Sequence, residues 1–205
     1  MTEILVGLKA PDPTFEIPTV SEELYKKTRE ALAKEGYTFV VAIESLSIGQ
    51  LATDEVTRQR FGFVNSSEKM RAIVPPQMEV AIDPKNLRIR NSNSKSTETQ
   101  IKMIKDEETG LKSKLPQEVR NLISMRMQNA SVLAQLDDKY QKEKGKVLFT
   151  NWSGRTDDQT VPGHVAFIGR LDPTLGLFLD GWLRDRGRGD VFAVSAVVLP
   201  RKMPA

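Results

Sequence analysis

Cysteine is absent from the chain and histidine occurs once, as His164. Without thiols there is no disulfide framework, no Cys-ligated zinc or iron-sulfur cluster and no thiol nucleophile. One imidazole cannot build a nitrogen-rich metal site from this chain alone, so neither a metal nor a cofactor is expected. Aromatic residues are scarce, at 6%. None falls between positions 85 and 126, which leaves that stretch no ring on which a nucleobase could stack. Long apolar runs are missing as well: the longest, 191–199, is about half of what a membrane span needs and reads as a buried strand. Glu3 and the short apolar run before Lys9 are unlike the basic start and long apolar centre of a secretory signal. Together these absences predict a soluble, cytoplasmic protein with no membrane partner.

What is present is ordinary for a globular chain. Of 205 residues, 39% are hydrophobic and 28% charged, so a sizeable core can be buried without staples. No repeat is visible at a period of roughly 20 to 50 residues. We expect a single domain over 1–205, of α+β class, with a mixed or mainly antiparallel sheet and two to three packed helices.

Residues 3–9, with Ile4, Leu5 and Val6 in succession, suit a strand covered on both faces. Ser21 followed by Glu22 and Glu23 marks a helix start, Leu24, Thr28, Ala31 and Leu32 share one face, and Gly36 marks its end. Residues 37–46 are rich in aromatic and β-branched side chains and predict a central strand. Short strands follow at 71–74, 78–82 and 87–90, separated by prolines. Positions 91–97 hold no apolar side chain and predict a flexible polar loop near 91–97. Thr97 and Gln100 have capping-box spacing for a polar helix ending at Gly110. From Pro116, apolar residues recur every three or four positions up to Tyr140, predicting one amphipathic helix. Its later half has an alternative, a hairpin pairing 131–140 with 147–152 across Gly145. Residues 164–171 and 191–199 both read as buried strands.

Chemistry-bearing groups gather in three places. In 151–164, a stretch punctuated by Gly and Pro between two predicted strands, Ser153, Asp157, Asp158 and His164 supply a hydroxyl, carboxylates and an imidazole. No nucleophile-elbow motif surrounds Ser153. As a hydrolase site these residues must converge in space, with Arg155 or Arg170 stabilising an anion. The two aspartates, adjacent on an extended backbone, point to opposite sides and need Asp172 or Asp180 to chelate a hard cation. Glu44, at the end of an apolar strand, is an acid or base if buried and a solvated residue if not.

The second place is residues 85–126, with 10 basic and 5 acidic groups. Lys85, Arg88, Arg90, Lys95, Lys102 and Lys105 bind phosphates if they share a face with the polar donors of 91–97. The third is 184–190, where Arg184, Arg186 and Arg188 stand among glycines that permit close approach, their forks suiting anions while Asp185 and Asp190 neutralise much of the charge, in what is equally a hairpin turn. The leading expectation is therefore a non-catalytic binding module for an anionic partner such as nucleic acid. A hydrolase working from 151–164 is the alternative, and a structural subunit that forms a homo-oligomer is a third.

Overall fold

The computed structural model describes residues 16–53, 61–64, 67–170 and 176–204. The strand expected over 3–9 lies outside them. Ser21 caps the first helix, α1 (Glu22–Lys34), its hydroxyl accepting the Leu24 N–H at 3.3 Å. Gly36 turns the chain out of that helix at φ +97°, a conformation that a side chain would strain. The next run forms β2 (Phe39–Ile43) as its composition predicts, and the chain then makes the short helix α2 (Ile48–Thr53).

β2 pairs antiparallel with β4 (Met78–Ile82), β4 with β10 (Ala196–Val198), and β10 with β5 (Ser124–Met125). Along β4, Val80, Ala81 and Ile82 are all fully buried. Val80 and Ile82 join one apolar cluster, with Leu133 and Leu136 of helix α6 (Ala130–Lys144). Ala81 joins another, with Leu32 of α1 and with Ile104 and Leu111 of helix α4 (Thr97–Lys114). A sheet covered on both faces has strands that read as unbroken apolar runs, because neither side chain parity meets water.

A second sheet runs β3 (Phe61–Val64), β8 (Leu177–Leu183), β7 (His164–Arg170), β6 (Trp152–Gln159) and β9 (Val191–Phe192). Its central strands β8, β7 and β6 are antiparallel, and β3 and β9 add at the edges in parallel. Ala166, Ile168, Leu177 and Leu179 turn one face of it into the cluster that holds Val80. A two-stranded parallel ribbon pairs β1 (Thr19–Val20) with β11 (Arg201–Lys202). The class is α+β with antiparallel and mixed pairing, as the sequence predicts.

Several local expectations are corrected. The helix expected over 116–140 is broken into α5 (Gln117–Arg120), β5 and α6. Val119, Ile123 and Met125 serve the cluster beside α1 and α4, while Val132, Leu133 and Leu136 serve the other. The chain rounds the edge of the first sheet between these two sets, so one periodic stripe supplies two cores. Asn129, whose side-chain oxygen accepts the Val132 N–H at 2.9 Å, restarts the helix. The alternative hairpin is overturned too, since Gly145 at φ +67° is the left-handed cap of α6.

The strand expected over 191–199 is two strands, β9 in the second sheet and β10 in the first. Of residues 71–74, Arg71 ends the short helix α3 (Glu68–Arg71) and 72–74 form no strand, and 87–90 contribute only the bridge from Arg88 to Val194. α4 passes Gly110 to Lys114, and its cap is Ser96, not Thr97. Residues 152–159, expected as loop, are strand β6.

Candidate anion-binding face

The polar stretch 91–97 is held by side chains that satisfy its backbone. Asn91 and Ser94 have positive φ, and the Ser92 hydroxyl donates to the Ile89 carbonyl at 2.7 Å and accepts the Ala193 N–H at 2.9 Å. Gln100 is fully buried, and its amide donates to the carbonyls of Ser92 at 2.7 Å and Val191 at 3.1 Å. A backbone turned this sharply leaves donors pointing outward, and they meet the arginine-rich turn 184–189. The Ser94 N–H donates to the Arg188 carbonyl at 3.0 Å, the Thr97 N–H to the Arg184 carbonyl at 2.9 Å, and Asn93 Nδ2 to the Gly189 carbonyl at 3.1 Å. Gly187 lies against the Ser94 carbonyl so closely that a Cβ there would overlap it. Two segments some 90 residues apart in sequence are thus laid edge to edge at the start of α4.

Beneath this seam lies Arg155 of β6, only 1% exposed. It donates to the Thr97 hydroxyl at 2.9 Å and to the Arg186 carbonyl at 3.2 Å, and its Nε has no hydrogen-bond partner among the described residues. Burial pulls its pKa below the usual guanidinium range, and the charge of Glu98 opposes that pull. Glu98, in the first turn of α4, accepts Arg184 Nε at 2.5 Å. Partial burial favours its neutral form, but the hydrogen bonds from Arg184 and from its own backbone N–H, with the charges of Arg184 and Arg155, hold its pKa below the usual carboxylate value.

The nine candidate cations divide into four groups. Lys95 and Arg186 are exposed at the seam, Lys102 lies one turn along α4 from Glu98, and none of the three has an ion pair among the described residues. Arg184 is paired with Glu98, and Arg188 with Asp190 at 2.7 Å while its guanidinium also lies over Phe167 and Trp182. Lys105 is turned away, bound to Glu108 at 2.9 Å and to the Met125 carbonyl. Lys85, Arg88 and Arg90 belong to the loop after β4, where Arg88 and Arg90 line a cleft of about 580 Å³ together with Tyr37, Asp83, Asp106 and Glu107. The Arg88 guanidinium stacks over Trp152 and Phe192. The rings beneath these arginines come from β6, β7, β8 and β9, and two of them, Trp152 and Phe167, are buried.

The proposed catalytic residues are not brought together. Ser153 pairs with Gly169 at one end of the β6–β7 hairpin, whereas His164 opens β7 at the other. The five residue steps from His164 to Gly169 span roughly 17 Å at about 3.3 Å each. Ser153 is buried, and His164 Nδ1 lies 3.3 Å from the Pro162 carbonyl. Asp157 is exposed, and its N–H donates to the Gln128 carbonyl. Asp158 is buried and accepts the Ala130 N–H at 2.5 Å, so it caps α6. Burial, and then the charge of Asp157, push the Asp158 carboxyl up to about 8 against that N–H.

Arg170 is buried in an ion pair with Asp137, and Glu44 is exposed, paired with Lys139 at 2.9 Å. Asp172 lies outside the described residues, among which no group of His, Cys, Asp and Glu could hold a metal ion. No described helix is long and apolar enough to cross a membrane. Sequence reasoning missed Glu98 as a member of the face. Its only local signal was an acidic residue in a first turn, which reads as pairing with the helix dipole. Comparison of the chain with protein-family models, curated proteins and solved structures finds no match.

Proposed function

We propose that this protein is a non-catalytic binding module for a polyanion, nucleic acid being the class that fits its chemistry, and that the seam between 93–97 and 184–188 is the contact face. The observation that carries the reading is the convergence of those two cation-bearing segments through three hydrogen bonds. Phosphate binding needs cations gathered on one surface, because each contact is weak by itself and releases a counterion. Lys95, Lys102 and Arg186 are the cations available for it, none of them in an ion pair among the described residues. Arg188 already stacked on Trp182 adds an arginine-aromatic surface of the kind single strands use.

The test is a fluorescence-anisotropy titration of a labelled single-stranded oligonucleotide. If Lys95, Lys102 and Arg186 each neutralise one phosphate, affinity falls by roughly 100-fold between about 20 and 200 mM salt, since each contact contributes about 0.7 to the logarithmic slope on single strands. Lys95→Gln with Arg186→Gln removes most of that dependence. Absence of binding at the lower salt rejects the reading.

A further inference from the structure

The start of α4 already holds an anion, and that anion belongs to the protein. The Glu98 carboxylate lies in the first turn of α4, where it accepts its own backbone N–H and Arg184 Nε at 2.5 Å. It is nevertheless accessible, with its side chain 58% exposed and that of Arg184 43% exposed. A group held this way, near water, can be exchanged for another of like charge.

The second observation comes from below. Arg155 is a buried cation with no ion pair among the described residues; its guanidinium is aimed at the first residue of α4 through the Thr97 hydroxyl, and its Nε is left without a partner. A buried charge is costly unless an opposite charge and hydrogen bonds compensate it. Glu98 supplies that charge through space. The positive end of the helix dipole, a surface guanidinium and a buried guanidinium together form a concentrated positive seat, larger in charge than one carboxylate requires.

Resting on the polyanion reading above, we infer that the first turn of α4 with Arg184 and Arg155 is the seat for one phosphate group of the bound partner, and that Glu98 occupies this seat in the free protein as a built-in competitor. A phosphate replaces the carboxylate on Arg184, where the planar fork can take two oxygens at once. Glu98 swings into solvent as the phosphate enters. Binding at this position is thereby weakened, and it is made selective for groups that bind better than a carboxylate.

Glu98→Gln tests this directly, because it removes the competing charge and keeps the side chain's shape. The control is Asp185→Asn, which removes an equal charge from the same arginine turn, at an exposed residue with no ion pair among the described residues. With the labelled single strand, Glu98→Gln should bind about tenfold tighter than wild type, and its logarithmic salt slope should steepen by about 0.7, one phosphate's worth. Asp185→Asn should change affinity by about twofold or less and leave the slope alone, as general screening of a surface charge would. Arg184→Gln should abolish the gain when combined with Glu98→Gln, and thermal melts of each variant report whether the fold is kept. Equal gains in Glu98→Gln and Asp185→Asn, or equal slopes in all variants, overturn the seat while the face stands. No binding by any variant at low salt overturns both.

Discussion

The buried pair of Asp137 and Arg170 should dominate the stability of the layer where α6 meets the second sheet. Asp137 is fully buried and Arg170 is 3% exposed. One carboxylate oxygen accepts Arg170 Nη2 at 2.7 Å and Nε at 3.2 Å, and the other accepts the N–H groups of Leu148 at 2.8 Å and Phe149 at 3.4 Å. This one side chain therefore fastens α6, β7 and the segment leading into β6. Asp137→Ala takes a carboxylate away from a buried guanidinium, a loss of about 3 to 5 kcal/mol. At about 2 to 4 °C per kcal/mol for a chain of this size, the melting temperature should drop by roughly 6 to 20 °C.

Differential scanning calorimetry and urea titration measure this directly. The double variant Asp137→Leu, Arg170→Met supplies the decisive comparison: removing both charges spares the desolvation cost, so it should be milder than the sum of the single variants by about 2 kcal/mol or more. Single variants that lose less than about 1 kcal/mol, or a double variant equal to that sum, would refute the reasoning.

Two further perturbations probe the seam and the cap of α6. The Asp158 carboxyl is raised to about 8 by burial and by the charge of Asp157. Its stabilising contribution is thus complete below the ordinary carboxyl value and is lost as pH rises toward about 8. The wild-type melting temperature should fall between pH 5 and 8, and Asp158→Asn should flatten that fall; identical slopes in the two proteins would exclude Asp158 as the cause. Gly187→Ala forces a methyl group against the Ser94 carbonyl, so it should cost about 1 to 3 kcal/mol and part the arginine turn from 93–97. Thermal melts with anisotropy check this, and a variant of unchanged stability and affinity would show that the contact is not needed.

Much of the fold was legible locally. Ser21 with its following glutamates marked α1, the run around Phe39 to Ile43 marked β2, and the glycines and prolines marked most of the turns, since these signals act over four or five residues. The stripe from Val119 to Leu136 misled because periodicity records that side chains are buried and not in which core. Its two halves face opposite sides of one sheet. The valines and alanines of 191–199 hid a crossing between sheets for the same reason.

The candidate face was legible as two lists of cations and no further. Composition by itself determined that this chain has no thiol chemistry and no nitrogen-rich metal site, and that positive charge concentrates in 85–126 and 184–188. Local sequence determined α1, β2 and an α+β class, because capping and side-chain periodicity are properties of neighbouring residues. Only the tertiary structure decided which charges meet. Glu98 and Arg184 are 86 positions apart, Arg155 and Thr97 are 58 apart, and Ser153 and His164, close in sequence, are set at opposite ends of a hairpin. Such contacts depend on how sheets and helices stack, which is set by the whole core at once and leaves no mark in any short window of residues.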